Sequence, residues 1–569
     1  MYTASTAWLE ALNDAGVSYI FANLGSDHPG LMETMAEAMA NGRKMPKLIT
    51  CPNEMVALSL AQGYAQVTGK AQMVLIHVEC GTQALAGAVH NVAKCRTPVL
   101  IFAGASPFTQ EGELLGSRNE FIHWIQDVFD QRGIVRGYMK YENEIRTGRN
   151  LKQMIHRALQ FAHSEPPGPT YLMATREVLE EEVPRVEVNP ANWPAVEMGG
   201  MTAAAVASVA NVLAGAKRPL VVTSYLGRNP QAVIELQKLA ERLAIGVLDS
   251  ASSYTNFPAQ HPMYQGYQGN EPVQNPVLAD ADVILVADCD VPWIPLVNHP
   301  NPNAKIFHID MDPLKEQMPM WYIATEGSYQ ANAATALAQL NDHLDSVHID
   351  QAAAEERCAH YTKLHNDRAE RLRQREQKPD NNAISSEYLT ACVREAATRD
   401  AIFLNEGITN YKVINEHIGA AAPRMMYTSG GSSLGWNGGA ALGAKLADPD
   451  RLVVSLTGDG SFMFTVPSSV HWISGRYKIP FLQVIYNNGG WNAPRFSAVG
   501  VHKSGLASKG ADLGISLEPP ADYSGIAAAA GGAHARIVKH ADELPGALAE
   551  AIRIVQEGRS AVLDVWLRR

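Results

Sequence analysis

Two apolar runs near the end of the chain each finish in a short polar motif, and this pairing limits the fold more than any other feature. Leu452–Leu456 leads to Gly458-Asp459-Gly460, and Phe481–Tyr486 leads to Asn487-Asn488. Each run has the length and apolar character of a buried strand, and Val466–Ser474 between them has helical periodicity. A strand, a helix and a second strand predict a parallel βαβ unit, with both motifs at the same edge of the sheet.

The same alternation of strand and helix patterns recurs along the chain and predicts an α/β fold with three doubly wound parallel sheets. We expect a first domain over 1–188, a central domain over 198–345, a charged linker or solvated helix over 346–382, and a third domain over 383–569. A chain of 569 residues is too long for one hydrophobic core, which agrees with several domains. The first and third domains share a rhythm of elements, as two related sheets would.

Other elements are predicted from the same periodicities. The strands are Tyr19–Ala22, Met73–Val78, Pro98–Ala103, Thr170–Met173, Pro219–Thr223, Val283–Ala287, Lys305–Ile309 and a strand that ends near Asn405. The helices are Ala4–Ala15, Asn53–Val67, Gln83–Lys94 and a helix around Tyr523–Ala530. Gly227-Arg228-Asn229 lacks a G-x-G-x-x-G pattern, so a structural turn is favoured there over a nucleotide-binding loop.

Net charge and simple sequence patterns argue against several kinds of partner and location. The net charge of -11 argues against a nucleic-acid or anionic-membrane surface. No apolar run approaches the roughly 20 residues that span a bilayer, and the N-terminus shows no secretory signal pattern. The six cysteines lack CxxC spacing, which favours free thiols. We therefore expect a cytoplasmic protein.

The motifs at the strand ends have the chemistry of a metal and diphosphate site. Asp459 provides a carboxylate and Asn488 an amide oxygen, the hard oxygen ligands that suit Mg²⁺. Gly458 and Gly460 allow backbone N–H groups to approach phosphates closely. A tight strand-to-helix turn is the alternative for this motif taken alone. Gly407-Ile408-Thr409 follows another strand end and can hold a phosphate in the same way, with a helix cap by Thr409 as the alternative.

These motifs resemble those of a known family. The Gly458-Asp459-Gly460 motif, the βαβ-length gap and Asn487-Asn488 resemble the thiamine diphosphate (ThDP) motif of the family that includes pyruvate decarboxylase, acetolactate synthase and benzoylformate decarboxylase. Glu54–Lys70 is similar to the family helix that begins with a catalytic glutamate, and Gly81–Gly104 is similar to benzoylformate decarboxylase without a gap. The resemblance covers nearly the whole chain and implies pyrimidine (PYR), central and diphosphate (PP) domains.

The resemblance implies specific roles for the PP domain. Asp459 and Asn488 would bind Mg²⁺ through side chains, and Gly490 through its carbonyl. Leu434 would wedge between the two cofactor rings, and the Ser432 carbonyl would accept a hydrogen of the 4′-amino group. The full set of implied cofactor contacts in this domain is Gly407, Thr409, Ser432, Leu434, Gly458, Asp459, Gly460, Ser461, Asn488, Gly490 and Trp491.

Three residues of the first domain are candidates for catalysis. Glu54 falls on the apolar stripe of its helix, where a carboxylate is costly unless it is paired or functional; an acid that complements the helix dipole is the alternative. The resemblance implies that Glu54 bonds N1′ of the aminopyrimidine ring and so promotes deprotonation at C2 of the thiazolium. Ser26 and His77 stand where benzoylformate decarboxylase has a serine and a histidine that face the substrate; a turn residue and a core histidine in a strand are the alternatives.

Some residues depart from the family patterns. Gly81-Thr82-Gln83 replaces a common Gly-Pro-Gly, and His28 has no clear counterpart. His123, Trp124 and Gln126 lie where acetolactate synthases carry a pocket Phe-Gln-Glu, so Gln126 either lines the site or lies on a helix surface. The segment 489–510 is expected to be a mobile lid over the substrate or a disordered surface loop.

The expected function is a ThDP- and Mg²⁺-dependent lyase that decarboxylates a 2-oxo acid. One alternative is carboligation or its reverse, as in acetolactate synthase or a 2-hydroxyacyl-CoA lyase. Another is a scaffold that keeps the fold without the cofactor. FAD, ADP or no ligand are all compatible with the central domain, in which no convincing nucleotide site is visible. Since the family builds each site from the Glu54 half of one subunit and the Asp459 half of another, we expect at least a homodimer and favour a homotetramer.

Overall fold

The computed structural model describes residues 2–510 and 512–568, and its first domain is a six-stranded parallel sheet. The strands are β1 (Tyr19–Ala22), β2 (Lys47–Thr50), β3 (Met73–Ile76), β4 (Val99–Ala105), β5 (Tyr141–Ile145) and β6 (Pro169–Thr175). The helices are α1 (Ala4–Asp14), α2 (Pro29–Ala40), α3 (Glu54–Thr68), α4 (Val78–Ala84), α5 (Ala86–Lys94), α6 (Ile122–Ile125), α7 (Leu151–His163) and α8 (Arg176–Glu180). The strand order is β2-β1-β3-β4-β6-β5.

The central domain is a second six-stranded parallel sheet. Its strands are β7 (Pro219–Thr223), β8 (Gly246–Ser250), β9 (Tyr264–Gln268), β10 (Val283–Ala287), β11 (Lys305–Asp310) and β12 (Gly327–Gln330). Its helices are α9 (Ala203–Ala214), α10 (Pro230–Leu243), α11 (Pro276–Asp280) and α12 (Ala333–Leu344), followed by the connecting helix α13 (Gln351–Arg375). The strand order is β12-β11-β10-β7-β8-β9.

The third domain repeats the architecture of the first. Its strands are β13 (Ile402–Glu406), β14 (Met426–Tyr427), β15 (Val453–Gly458), β16 (Leu482–Asn487), β17 (His534–Val538) and β18 (Ala561–Trp566), in the order β14-β13-β15-β16-β18-β17. Its helices are α14 (Ser386–Ala396), α15 (Tyr411–Ile418), α16 (Trp436–Ala447), α17 (Asp459–Phe464), α18 (Pro467–Tyr477), α19 (Asn492–Val501), α20 (Tyr523–Gly531) and α21 (Leu544–Gln556). Counted from its first strand, each outer domain has the order 2-1-3-4-6-5, so the two sheets are topological equivalents. The predicted class of three parallel α/β sheets, with helices on both faces, is confirmed.

Two equivalent helices, α3 of the first domain and α16 of the third, pack directly on each other. A Cβ atom at Gly63 in α3 would overlap the carbonyl oxygen of Ala440, and one at Gly443 in α16 would overlap that of Leu60. The missing side chains therefore let the two backbones approach closely. Since both helices start at the edge that carries the candidate residues, this packing sets the two N-termini relative to each other.

The connecting helix α13 is less solvated than its charged sequence suggests. Tyr361 is fully buried and donates a hydrogen bond to the Pro219 carbonyl at 2.7 Å. Arg357 donates to the carbonyls of Leu243 and Ala216, both at 2.9 Å. The segment is thus a connecting helix, one of the two expected alternatives, and one of its faces packs against the central domain.

The structure changes two further details of the sequence prediction. β3 ends at Ile76, so His77 lies in the turn before α4 and not inside a strand. The segment expected to be a lid or a disordered loop contains a ten-residue helix, α19. Several short strands, such as β2 and β14, were not predicted because edge strands carry too few apolar residues to show a periodicity.

No helix in the described part of the chain has the length and apolar character needed to cross a membrane. All six cysteines have free thiols, as the spacing predicted. The cytoplasmic location stays a prediction.

Candidate active site

Glu54 opens helix α3 at the end of the edge strand β2. The Asn53 side chain caps this helix by accepting a hydrogen bond from Val56 N at 3.3 Å. Glu54 is 8% exposed, and its Oε1 accepts a hydrogen bond from Asn23 Nδ2 at 2.8 Å. A Cβ atom on residue 81 would lie 3.2 Å from Oε1, so Gly81 leaves room beside the carboxylate. No basic side chain pairs with Glu54 among the described residues, so its free oxygen Oε2 can bond a ligand.

Asp27, a residue that sequence reasoning missed, joins two histidines at the same edge of the sheet. Its Oδ1 lies 2.6 Å from His77 Nδ1, and its Oδ2 lies 3.3 Å from His28 Nε2. Oδ2 also accepts a hydrogen bond from Val78 N at 3.0 Å. Burial opposes the charged forms of both groups. The neighbouring His28 and the hydrogen bond with His77 outweigh burial at Asp27 and lower its pKa, and the hydrogen bond with Asp27 raises the pKa of His77. The dominant effect on His28 is burial, which lowers its pKa.

The backbone around this pair is shaped to accommodate it. A Cβ atom at Gly25 would overlap the His77 ring, and one at Gly104 would overlap the Asp27 carboxylate. Val78 has a φ of 25°, an unfavourable conformation for a β-branched residue. Strain of this kind is held only where the surroundings impose it, and it often accompanies functional residues.

A second group of polar side chains lies beside Ser26. His123 Nε2 is 3.3 Å from Ser26 Oγ and 3.2 Å from Arg176 Nη1. Gln126 Oε1 lies 3.2 Å from His77 Nε2, so Gln126 contacts the site and does not lie on an outer helix surface. The first domain therefore brings all three of its predicted catalytic residues to one edge of the sheet.

The Gly-Asp-Gly motif forms the other predicted half of the site, in the third domain. Asp459 follows β15 and is 2% exposed. Its Oδ1 accepts from Gly460 N at 2.9 Å and its Oδ2 from Gly489 N at 2.8 Å. Burial raises its pKa, and no cation among the described residues pairs with it. A buried carboxylate without a counter-charge fits a divalent cation.

Asn488 and its neighbours lie next to this carboxylate because β15 and β16 are adjacent parallel strands. Asn488 Nδ2 donates to Thr409 Oγ1 at 3.2 Å, which joins two of the predicted cofactor-binding residues. The Gly490 carbonyl accepts a hydrogen bond from Asn492 N at 3.1 Å. A carboxylate, an amide oxygen and a carbonyl at one strand edge are ligands of the kind that suits Mg²⁺, and the metal site stays a prediction. No group of three His, Cys, Asp or Glu side chains suited to a metal occurs in residues 2–510 and 512–568.

Trp491 covers one side of the motif. A Cβ atom on residue 460 would lie 2.5 Å from the Trp491 ring, so only glycine fits beneath it. The Trp491 ring meets Phe464 edge-on at 6.1 Å. Gly458 ends β15 and Ser461 is buried in α17, one turn from the strand end. Gly407 follows β13, and its N–H donates to Asn405 Oδ1 at 3.1 Å.

The glycine-rich segment before α16 is anchored on the first domain of the same chain. Asn91 bonds both the carbonyl and the N–H of Ser433, at 2.8 and 2.9 Å. Ser432 is exposed with a φ of 60°, and Leu434 is half-buried. The segment is therefore held in place by contacts with the first domain.

Glu406, a second residue that the sequence did not single out, fixes the start of α16. Its Oε1 accepts from Gly435 N and its Oε2 from Asn437 N, both at 2.7 Å. Burial raises the pKa of Glu406 to about 8, while the backbone donors oppose that rise. Since Gly435 follows Leu434 directly, Glu406 positions the residue expected to lie between the cofactor rings.

Charged side chains fill the corresponding edge of the central sheet. Lys315 is fully buried, with Nζ 2.6 Å from Asp310 Oδ2 and 2.9 Å from Asp290 Oδ1. Arg96 of the first domain makes a bidentate pair with Asp290 at 2.8 and 2.9 Å. A nucleotide phosphate would have to displace these carboxylates from both cations, so the pairing gives no support to FAD or ADP at this edge.

Family models of thiamine pyrophosphate enzymes match three successive parts of the chain. The N-terminal TPP binding domain matches residues 2–134, the central domain 206–344, and the C-terminal TPP binding domain 407–565. The first range contains Glu54 and His77, and the last contains Asp459 and Asn488.

Individual relatives span nearly the same length. The chain is 24% identical to a sulfoacetaldehyde acetyltransferase of Castellaniella defragrans, covering 100% of this chain and 93% of the relative. It is 23% identical to a benzoylformate decarboxylase of Pseudomonas aeruginosa, with 88% of each covered. The structure of benzoylformate decarboxylase from Polynucleobacter necessarius matches with a TM-score of 0.80 at 19% identity, covering 100% of this chain and 99% of that one. At this identity the structural match shows a shared fold.

Proposed function

Because the chain belongs to the thiamine pyrophosphate enzyme family, we propose that it is a ThDP- and Mg²⁺-dependent lyase that decarboxylates a 2-oxo acid. The observation that carries this proposal is the Asp27–His77 pair, which lies beside Ser26 at the sheet edge that also bears Glu54. This arrangement combines a proton donor, a hydroxyl and a carboxylate in one place.

In the proposed holoenzyme, the polar residues described above hold the cofactor. Asp459, Asn488 and the Gly490 carbonyl bind Mg²⁺, and Glu54 accepts or donates a proton at the aminopyrimidine ring nitrogen. The bound thiazolium supplies an electron sink for the pair left by departing CO₂. The other proposed cofactor contacts are Gly407, Thr409, Ser432, Leu434, Gly458, Gly460, Ser461 and Trp491.

His77 is the proposed proton donor to the substrate carbonyl oxygen. Its Nδ1–H bonds Asp27, so the second proton of the protonated imidazole is on Nε2, next to Gln126 Oε1. The raised pKa keeps this imidazole protonated at a higher pH than a free histidine. Ser26 Oγ is the proposed donor to the substrate carboxylate.

A second candidate reaction is acyl transfer or carboligation from the same site. It is favoured by the sulfoacetaldehyde acetyltransferase relative, which covers the whole of this chain. Both reactions use the same residues to hold the cofactor. They differ in whether the intermediate left after CO₂ departs takes up a proton or reacts with an acceptor molecule.

One assay separates the candidates. The holoenzyme is incubated with aliphatic, aromatic and guanidino 2-oxo acids, and CO₂ and the organic product are measured with and without an added aldehyde, acyl-CoA or inorganic phosphate. Aldehyde formation without an acceptor supports simple decarboxylation. Product formation only with an acceptor supports transfer, and no Mg²⁺-dependent ThDP binding in calorimetry would indicate a scaffold.

We also propose that two subunits complete each site. Among the described residues, no hydrogen bond or ion pair connects Glu54 or Asp27 with Asp459 or Asn488. Large apolar side chains are exposed near both halves: Phe121, Ile125 and Phe129 in the first domain, and Met463, Phe464 and Phe496 in the third. A second copy of the chain would cover such surfaces and bring the halves together. A homotetramer, tested by sedimentation, is the favoured assembly.

Mixing two inactive variants tests the shared site. In a heterodimer of Glu54→Gln and Asp459→Ala chains, a shared arrangement puts both substitutions in one site and leaves the other intact. Activity should therefore reappear after the chains are mixed and reassociated. If each chain forms its own site, the mixture stays inactive.

A further inference from the structure

Arg176 is a buried cation without a counter-ion in the described chain. It is the first residue of α8, directly after β6, and is 8% exposed. Its Nη1 donates to Asn119 Oδ1 at 2.8 Å, but no carboxylate lies within 4 Å among the described residues. Its Nε is buried and has no hydrogen-bond acceptor. Burying a guanidinium in this way is costly unless an anion joins it.

Arg357 shows how the same chain stabilises another buried guanidinium that lacks an ion pair. Its Nε and Nη1 each donate to a main-chain carbonyl at 2.9 Å, supplied by Leu243 and Ala216. These carbonyls carry the negative end of the peptide dipoles near the ends of α10 and α9. Arg176 has no such carbonyl partners, so its environment lacks the charge that burial demands.

A short chain of polar atoms connects Arg176 with the proposed substrate site. His123 Nε2 lies 3.2 Å from Arg176 Nη1 and 3.3 Å from Ser26 Oγ. Burial and the neighbouring guanidinium lower the pKa of His123, so the imidazole stays neutral between them. The Ser26 hydroxyl, the neutral ring and the guanidinium thus form one continuous polar surface.

The strand order places the Arg176 end of this surface away from Glu54. Glu54 follows β2, Ser26 follows β1, His77 follows β3 and Arg176 begins after β6, in a sheet ordered β2-β1-β3-β4-β6-β5. With strands about 4.8 Å apart, β6 lies about 14 Å from β1 and about 19 Å from β2. The Arg176 backbone is therefore four strands from Glu54 and three from Ser26, although its guanidinium reaches back to His123, whose Nε2 also contacts Ser26 Oγ.

Charge changes during the reaction argue against Arg176 as the partner of the leaving carboxylate. That group loses its charge when it departs as CO₂, so a strong ion pair would stabilise the reactant more than the transition state. A group that keeps its charge throughout the reaction carries no such penalty, and its binding helps to orient the substrate.

We infer that Arg176, with His123, binds a second anionic group of the substrate, beyond the carboxylate that Ser26 is proposed to contact. The substrate class is then a 2-oxo acid with a terminal carboxylate or sulfonate. This inference rests on the proposed function for the reaction, but the anion subsite itself can be tested without turnover.

Matched substrates test the inference directly. The pairs are 2-oxoglutarate with its 5-methyl ester, 2-oxoadipate with its 6-methyl ester, and a sulfonate-ended analogue of each length. The wild-type holoenzyme should prefer the anionic members. Arg176→Gln should lower their kcat/KM about 10- to 100-fold, mainly through KM, and change the esters little, because a charge-assisted hydrogen bond is lost only with the anion. Arg176→Lys should lie between the two.

Arg146→Gln provides the matched control, since that side chain is 79% exposed in the same domain. It should leave the selectivity unchanged. A wild-type enzyme that uses each ester as well as its acid, or an Arg176→Gln variant with unaltered selectivity, would overturn the inference while leaving decarboxylation intact.

Calorimetry with glutarate and adipate, which lack the reactive carbonyl, separates this inference from the proposed function. Arg176-dependent binding of these dianions would support the subsite even if no 2-oxo acid released CO₂. Unchanged dianion binding in Arg176→Gln, together with weaker subunit association in sedimentation, would instead assign Arg176 to an ion pair between subunits and overturn the inference. Circular dichroism and thermal melting confirm that each variant is folded.

Discussion

The Asp27 carboxylate lies 2.6 Å from Nδ1 of His77, although the two residues are 50 positions apart in the chain. Both lie at the carboxyl edge of the first sheet, and glycines at positions 25 and 104 make the space for them. The pair gives the first domain a buried acid–imidazole contact whose effects on pH dependence can be measured.

The first prediction concerns the pH dependence of turnover. Asp27→Asn removes the charge that raises the pKa of His77 against the effect of burial. The proton donor should then be lost at lower pH, so the alkaline limb of kcat/KM moves to lower pH and activity near pH 7 falls, by about 10²-fold. NMR titration of His77 measures the same shift directly. Asp130→Asn, an exposed carboxylate of the same domain, serves as the control; an unmoved limb would contradict the assignment.

The same substitution makes a prediction for stability. Asp27 has a lowered pKa in the fold, so its contribution is present above its ordinary value of 3.8 and is lost as the pH falls through the folded value. His77 has a raised pKa, so its contribution is complete below 6.5 and is lost as the pH rises through the folded value. The wild-type Tm should therefore exceed that of Asp27→Asn most between pH 3.8 and 6.5, where both contributions are complete. An equal difference at all pH values would exclude this linkage.

A third prediction concerns Glu54. Glu54→Gln keeps the size of the side chain and the contact with Asn23 but removes the acid, so turnover should fall about 10²- to 10⁴-fold. The affinity for ThDP, measured by calorimetry, should change much less. Glu37→Gln on the exposed face of α2 should have no effect on either quantity. Normal turnover in Glu54→Gln would end the proposed assignment.

A fourth prediction uses the buried charge of Asp459. Burial raises its pKa, so without a cation this group lowers stability as the pH rises, and Asp459→Asn should melt at the same or a higher temperature than the wild type. Mg²⁺ with ThDP should raise the Tm of the wild type and not that of the variant. Asp450→Asn, an exposed carboxylate of the same domain, should retain the wild-type response. A Mg²⁺-dependent rise in the variant would place the metal elsewhere.

The last prediction tests the close contact between α3 and α16. Gly63→Ala would push a methyl group into the carbonyl oxygen of Ala440, so it should lower the free energy of unfolding by about 1–3 kcal/mol. Gly546→Ala in α21 meets no atom within 4 Å and should raise it by about 0.5–1 kcal/mol. Chemical denaturation of the two variants measures the opposite signs. Similar values for both would show that the two backbones are not in close contact.

The local pattern of the chain was enough to predict the class of fold and the residues at the strand ends. Apolar runs of strand length alternate with helical periods, and parallel connections require that consecutive strands end at one edge. Glu54, Asp459 and Asn488 could therefore be singled out as candidates from their places in these patterns. The apolar pattern did not locate strand ends to the residue. It predicted that β3 includes His77, whereas the strand ends at Ile76 in the structure.

Contacts between distant segments could not be inferred in this way. Asp27 follows Ser26 and carries no pattern of its own, and only the folded sheet brings it to His77. The unpaired charge of Arg176 and the anchoring of Ser433 by Asn91 also depend on which strands and helices become neighbours. Periodicity records which face of an element is apolar, and so it identifies elements and their order. It does not show which side chains of different elements meet, or at what distance. Those contacts determine charge pairing, pKa shifts and the shape of the site.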